Sequence, residues 1–126
     1  MLTEAQIEKA KRANPSHLDR YHEHNDCIRL AYEWLDAQSK LRAPRRAGAR
    51  PLKHIIEQWA GRYVSQSDVE VAAILHPGLS GTYPYFNISA RLVLPHDRRL
   101  DAIGEAMTQP KYRERMRETA YASEEG

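Results

Sequence analysis

The fold of this chain depends most on residues 68–95, DVEVAAILHPGLSGTYPYFNISARLVLP, in which two alternating patterns flank a turn-rich segment. The alternating apolar residues are Val69, Val71, Ala73 and Leu75 in the first pattern, and Phe86, Ile88, Ala90, Leu92 and Leu94 in the second. Such alternation is typical of half-buried strands. Residues 76–84 between the patterns are rich in Pro, Gly and Ser, which favour turns. The pattern predicts antiparallel strands at residues 68–75 and 86–94, joined as a hairpin by a long loop.

The same segment also permits a helical interpretation. Ser65 is a suitable helix N-cap, and Asp68, three residues later, is an acid in the position that completes a capping box. Residues 66–75 and 87–94 would then be two helices of a mostly helical, winged-helix-like fold. Alanines favour the helix, whereas valines and aromatic residues favour strands. We expect the hairpin, in an α+β single domain whose helices flank an antiparallel β-hairpin.

Two helices are predicted in the N-terminal third of the chain. Thr3 and Gln6 have the spacing of a capping box at the start of the first helix. Residues 16–35 carry a longer amphipathic pattern with a wide apolar sector. A helix with a wide apolar sector contacts more than one neighbour, so we expect a homo-oligomer in which this helix lies at a subunit interface.

Further helices are predicted on either side of the hairpin. Residues 51–63 follow a helical repeat that begins with a proline suited to the first turn. Asp97 is a candidate cap for another helix. The apolar residues expected to face inward from that helix are Leu100, Ile103 and Met107. A charged C-terminal helix or tail is predicted for residues 110–126.

Length and composition indicate one globular domain. The chain has 126 residues, of which 41% are hydrophobic and 29% charged, and this excludes a mostly disordered protein. No apolar run approaches the ~20 residues that span a bilayer, and the N-terminus lacks the pattern of a signal peptide. The single cysteine, Cys27, rules out an internal disulfide and fits a reducing compartment. We therefore expect a cytoplasmic protein.

Positive charge is concentrated in one segment. The formal net charge is only +2, yet no acid occurs between Lys40 and Lys53. Residues 42–50, called the basic arm below, contain Arg42, Arg45, Arg46 and Arg50. The arm also contains Pro and Gly and almost no large apolar group, which is typical of an exposed linker. We expect its arginines to contact phosphates or another polyanion.

The loop and the segment after it carry the candidate ligand-binding residues. These are Thr82, Tyr83, Tyr85, Phe86, Asn87, Ser89 and Arg91. Small residues at 78–82 can offer backbone N–H groups to an anion, and aromatic rings can stack on a base. Asn87 is placed to hydrogen-bond to a base edge, and Arg91 to pair with a phosphate. The alternative remains open that the aromatic residues belong to the core and that Arg91 is simply solvated.

Catalytic and metal-binding constellations have little support. Candidate metal ligands are His17, His22, His24, Asp26 and Cys27, but no second ligand pair accompanies them. Ser89, His76 and either Asp68 or Asp97 supply the residue types of a hydrolase. No nucleophile-elbow, phosphate-loop or dinucleotide-binding motif is present. We therefore predict no catalytic residue, no metal and no cofactor.

Three segments carry a resemblance to known proteins: NDCIRLAYEWLDAQ at residues 25–38, KHIIEQWAGRYVSQSDVEVAAILHP at 53–77 and YPYFNISARL at 83–92. With these segments, the chain resembles phage or mobile-element accessory proteins, and among them the anti-defence sponges that sequester signalling nucleotides. No family motif matches residue by residue. The resemblance implies an oligomer that binds a cyclic nucleotide or an ADP-ribose derivative without cleaving it.

The residues and the resemblance lead to three functional hypotheses. The first is a non-enzymatic protein that captures a phosphate-bearing ligand, most simply a nucleotide or a cyclic signalling nucleotide. The second is a winged-helix-like DNA-binding regulator that places the basic arm on phosphates and Asn87, Ser89 and Arg91 near bases. The third is a protein-binding inhibitor.

Overall fold

The computed structural model describes residues 1–14, 23–48 and 50–126. The α-helices in these ranges are α1 (Glu4–Ala13), α2 (Asn25–Asp36), α3 (Leu52–Ala60), α4 (Gln66–Leu75) and α5 (Pro110–Arg113). Short 3-10 helices lie at Asp97–Leu100 and Glu118–Ala120, and two-residue strands at Val93–Leu94 (β1) and Ser123–Glu124 (β2). The two strands pair in parallel. The described part of the chain is therefore mostly helical.

The predicted β-hairpin is wrong, because its first strand is helix α4. The side chain of Ser65 accepts a hydrogen bond from Asp68 N, and the Asp68 carboxylate accepts one from Ser65 N, both at 3.1 Å. This capping box is the signal of the helical alternative, which is confirmed for residues 66–75. Val69 and Val71 are both buried although they point in different directions from a helix. Burial on more than one side of α4 produces the strand-like alternation.

Residues 86–94 form neither the predicted second strand nor the helix of the alternative. Ile88 makes an isolated antiparallel bridge with Lys40, and only the last two residues form β1. The rest of the segment is irregular. Both interpretations of these residues therefore failed, because their backbone pairs with distant segments rather than with residues 68–75.

Helices α1 and α2 begin at caps supplied by their own residues. Gln6 N donates to Thr3 Oγ1 at 3.2 Å and Thr3 N donates to Gln6 Oε1 at 2.8 Å, which confirms the first predicted capping box. Helix α2 begins after His24, whose Nδ1 accepts a hydrogen bond from Asp26 N at 2.9 Å. The predicted start of this helix at residue 16 lies outside the described residues. The core face of α2 consists of Cys27, Ile28, Leu30, Ala31, Trp34 and Leu35.

Helix α3 ends where Gly61 turns the chain. Gly61 has a φ of +63°, a left-handed conformation that glycine adopts without strain. At the other end of α3, Lys53 N donates to the hydroxyl of Tyr83 at 3.2 Å, so the loop after α4 supplies a cap to this helix. Ile56, Trp59 and the core face of α2 then belong to one hydrophobic core.

The C-terminal region differs from the predicted pair of helices. The helix expected after Asp97 is a 3-10 helix of four residues, and its cap is His96 rather than Asp97. Leu100 and Ile103 are buried as predicted, but Met107 is exposed. The charged C-terminal segment contains α5 and then the strand β2. No helix in residues 1–14, 23–48 and 50–126 has the length and apolar composition needed to cross a membrane.

The tail after residue 120 is bound to the rest of the fold. Ala122 N donates to Leu92 O at 2.8 Å and Glu125 N to Leu94 O at 2.9 Å. The indole N–H of Trp34 donates to the Tyr121 hydroxyl at 3.1 Å. The tail thus covers the segment that leads from the loop into β1.

Candidate functional site

A cavity of about 360 Å³ lies between α4, the loop at residues 79–86 and the end of α1. Its lining residues are Asn14, Glu70, Ala73, Ile74, Leu79, Ser80, Gly81, Thr82, Tyr83 and Phe86. Glu70, Ala73 and Ile74 are separated by three and four positions, so they share one face of α4. The cavity has the size and mainly apolar lining of a small-molecule site.

Three of the predicted ligand-binding residues line this cavity: Thr82, Tyr83 and Phe86. Phe86 is 3% exposed and belongs to the core. The rings of Tyr83 and Phe86 meet edge to face, with centroids 6.1 Å apart. Burial raises the pKa of Tyr83, whose hydroxyl also accepts the hydrogen bond that caps α3. Both aromatic side chains therefore support the fold and form the cavity wall.

Asn87 holds the loop in place. Its Oδ1 accepts a hydrogen bond from Ser80 N at 2.8 Å, and its Nδ2 donates to Leu41 O at 3.0 Å and to Gly78 O at 3.1 Å. The side chain is buried. Its amide is therefore occupied within the protein, which leaves no free group for the predicted hydrogen bond to a base edge.

The remaining predicted residues lie outside the cavity lining. Tyr85 is exposed, and Ser89 Oγ accepts a hydrogen bond from Arg91 N at 3.1 Å. The Arg91 guanidinium is exposed and makes no hydrogen bond or ion pair with the described residues. The predicted row of Asn87, Ser89 and Arg91 on one strand face does not exist, because this segment is not a strand.

The basic arm packs against the loop. A Cβ atom added to Gly81 would lie only 2.9 Å from Pro44 Cβ, which shows that the two segments touch. Leu41 N, just before the arm, donates to Asn87 O at 2.7 Å. Arg50 donates to Ala90 O at 3.4 Å. The two sequence-predicted sets, loop and arm, therefore form one continuous region.

This region carries an excess of positive charge. Residues 37–56 and 71–96 contain no Asp or Glu, and they hold seven Lys and Arg residues, six in the first segment and one in the second. Arg42, Arg45, Arg46, Arg50 and Arg91 are called the arginine surface below. Within the described parts of the chain, none of these five forms an ion pair with a carboxylate. The arginines that do form such pairs are Arg29, Arg62, Arg99 and Arg113.

The arginine surface and the cavity meet at Phe86. Phe86 lines both the cavity and a small neighbouring pocket. Arg45 and Arg50 line that small pocket together with Ser89. The cavity and the pocket lined by these arginines therefore share the side chain of Phe86.

Glu70 is the cavity residue that sequence reasoning missed. A strand at residues 68–75 would place it on the polar side, away from the apolar residues, whereas the helix turns it towards the loop. Its carboxylate lies 3.4 Å from Asn14 Nδ2 and pairs with no cation of the described residues. The capping box at Ser65 and Asp68 was the available signal, since a helix starting there places Glu70 with Ala73 and Ile74.

The residues of the hydrolase hypothesis are dispersed. His76 Nε2 lies 2.8 Å from Asp36 Oδ1, and its Nδ1 accepts a hydrogen bond from Gly78 N at 3.0 Å, so both ring nitrogens are occupied. Although burial raises the pKa of Asp36, hydrogen bonds from His76 and Arg99 lower it below the ordinary value overall. Asp68 caps α4 and Asp97 pairs with Arg113. Ser89 is therefore not part of a catalytic triad with these groups.

The candidate metal ligands are only partly described. His17 and His22 lie outside the described residues, and the imidazole of His24 caps α2. Cys27 is buried, and burial raises the pKa of its thiol to about 12. Elsewhere in the described residues, no three His, Cys, Asp or Glu side chains are grouped closely enough to hold a metal ion.

Comparison with known protein families, with curated proteins and with solved structures finds no significant match to this chain. Its function therefore has to be inferred from the cavity and the arginine surface.

Proposed function

We propose that this protein binds a phosphate-bearing ligand, a nucleotide, without catalysing a reaction on it. The base occupies the cavity beside α4, and the phosphates contact the arginine surface. The observation that carries this proposal is the contact between Gly81 and Pro44, because it joins the cavity wall to the basic arm. An apolar cavity next to a cationic surface matches the two chemical halves of a nucleotide.

The arginine surface is suited to phosphate because none of its arginines is paired with a carboxylate of the described residues. A guanidinium donates two parallel hydrogen bonds to a phosphate and keeps its charge at any physiological pH. Arginines that already pair with carboxylates must break those pairs before they bind another anion. Arg45 and Arg46 form no such pair with any described residue, so they bind a phosphate without that penalty.

The cavity is suited to a base because two aromatic rings contribute to its wall. Tyr83 and Phe86 from the loop line the same cavity as Ala73 and Ile74 from α4. Stacking of a base on an aromatic ring contributes about 1 to 3 kcal/mol and tolerates any base. Affinity for nucleotides in general therefore comes from these walls and from the arginines.

The test is calorimetric titration with nucleoside triphosphates, cyclic dinucleotides and ADP-ribose derivatives. Replacing Arg45 and Arg46 together by alanine should weaken binding roughly tenfold or more, since charge-assisted hydrogen bonds are lost. The melting temperature should stay nearly unchanged. The matched control is Arg115→Ala with Arg117→Ala, which removes the same charge at exposed positions outside the arginine surface. Equal affinity of the two double variants for a bound nucleotide would contradict the proposal.

A second candidate function is binding of DNA along the arginine surface. The observation that favours it is the absence of acids from both segments of this surface, which suits a long polyanion as well as a small one. Duplex binding would weaken steeply as salt rises and would not require the cavity. Filling the cavity by Ala73→Trp should abolish nucleotide binding but leave DNA binding intact.

Native mass spectrometry of the same samples measures whether the expected homo-oligomer forms.

A further inference from the structure

We infer that the base held in the cavity is guanine, and that the carboxylate of Glu70 recognises it. This inference rests on the proposed function, and it adds the identity of the base. It concerns a residue that neither the alternation pattern nor the basic arm points to.

Glu70 is an acceptor without a strong donor. Its one hydrogen bond in the described structure comes from Asn14 Nδ2 at 3.4 Å, which is long for such a bond. A carboxylate offers two oxygens and no donor, and beside apolar walls it gains most from a ligand that presents two N–H groups side by side. A ligand that supplies a pair of donors at this end of the cavity therefore pairs best with Glu70.

Only one common base meets this requirement. Guanine presents N1–H and the 2-amino group next to each other on its Watson–Crick edge. Adenine places its N1 acceptor there, and cytosine and uracil place acceptors beside their single donors. An acceptor facing the Glu70 carboxylate would be repelled and left without a partner, which makes the other bases unfavourable.

The rest of the cavity complements the same edge. Ser80 and Thr82 line it, and a serine or threonine hydroxyl is able to donate to the O6 acceptor of guanine. The cavity face of α4 is held in place, because α4 begins with a capping box and packs on α2. Glu70 is thus held on a fixed element, while the loop supplies the stacking rings and leads to the arginine surface.

The experiment is titration of the wild type and of Glu70→Gln with GTP, ITP, XTP and ATP. Inosine lacks the 2-amino group, so the wild type should bind ITP about tenfold more weakly than GTP, and ATP more weakly still. Glutamine keeps one acceptor and gains a donor. Since xanthine offers N1–H beside the O2 acceptor, Glu70→Gln should prefer XTP to GTP. Glu118→Gln, at an exposed position, is the control and should keep the wild-type order.

The outcomes separate this inference from the proposed function. If the wild type binds all four nucleotides equally while the Arg45 and Arg46 double variant still weakens them, the guanine inference is overturned and nucleotide binding stands. If the wild type binds none of them, the proposed function itself fails. The comparison of GTP with ITP needs no variant, so the inference stays testable even if Glu70→Gln does not fold.

Discussion

The side-chain amide of Asn87 connects its own segment to two other parts of the chain. It bonds to the loop at Ser80 and Gly78 and to the segment after α2 at Leu41. Because the side chain is buried, its replacement leaves these backbone groups without partners. The residue chosen from the sequence as a contact to the ligand thus positions the loop that forms the cavity wall.

The first prediction is that Asn87→Ala lowers the free energy of unfolding by roughly 2 to 3 kcal/mol, the cost of leaving buried polar groups unpaired. Urea denaturation followed by circular dichroism measures it. Ser89→Ala, a neighbouring truncation at a site with one exposed hydrogen bond, should cost less than about 1 kcal/mol. Equal losses for the two variants would show that the Asn87 amide does not hold the loop.

The second prediction concerns Glu125 and pH. Hydrogen bonds from Arg99 lower the pKa of Glu125 to about 2, from an ordinary value of 4.5. The unfolded chain therefore binds more protons than the folded one between these values, so the stabilisation is present above pH 4.5 and is lost as the pH falls towards 2. Screening at this partly exposed pair limits the effect to about 1 kcal/mol.

The measurement is the unfolding free energy of the wild type and of Glu125→Gln from pH 7 down to pH 2. The variant should be less stable at pH 7, and the difference should shrink steadily below pH 4.5. A difference that stays constant with pH would mean that the Arg99 ion pair contributes nothing through charge.

At the scale of elements, helix α3 depends on a residue distant in sequence. Its N-cap, Pro51, makes no side-chain hydrogen bond, and the Tyr83 hydroxyl accepts from Lys53 N instead. The third prediction is that Tyr83→Phe lowers stability by about 1 kcal/mol, the typical value of a lost cap. Tyr85→Phe is the matched control: Tyr85 is 41% exposed and its hydroxyl has no described partner. Thermal denaturation of both variants distinguishes a cap from a general effect of removing a hydroxyl.

Elements with local signals were predictable from the sequence, and those held by distant partners were not. The Thr3 and Gln6 capping box gave α1, and the 3.6-residue repeat gave α3. The capping box of Ser65 and Asp68 indicated α4, but valines buried on different sides of that helix gave the alternating pattern that is typical of a strand. Residues 86–94 take their conformation from pairing with residues 39–41 and with the tail, which no local pattern records.

The same distinction between local signals and distant partners applies to the residues of the candidate site. Tyr83, Phe86 and the basic arm were recognised by their chemistry, which does not depend on the fold. Glu70 was missed because its direction depends on whether the segment is a helix or a strand. Asn87 was assigned to the ligand because its internal partners, Ser80 and Leu41, become neighbours only after folding.

At the scale of the whole molecule, the tail completes the fold. The fourth prediction is that removal of residues 121–126 lowers the unfolding free energy by roughly 3 kcal/mol or more. Three losses contribute: the packing of the partly buried Tyr121 against the core, its hydrogen bond with Trp34, and the ion pair of Glu125 with Arg99. Removal of Gly126 alone should have no effect, because this residue is exposed. Denaturant unfolding measures the free energy of unfolding of both truncated proteins. Equal stability of the two would contradict the prediction.

Because Cys27 is buried, the rate at which its thiol reacts reports how often the protein opens. Its Sγ lies 3.4 Å from Tyr63 O inside the core, and its thiol stays protonated at neutral pH because its pKa is about 12. A thiol-reactive dye can modify it only when the surrounding helices separate. A ligand that binds the closed protein slows labelling by the factor by which it favours that state. The ratio of the labelling rates without and with a known concentration of a candidate nucleotide therefore measures its affinity, with no substitution and no attached probe.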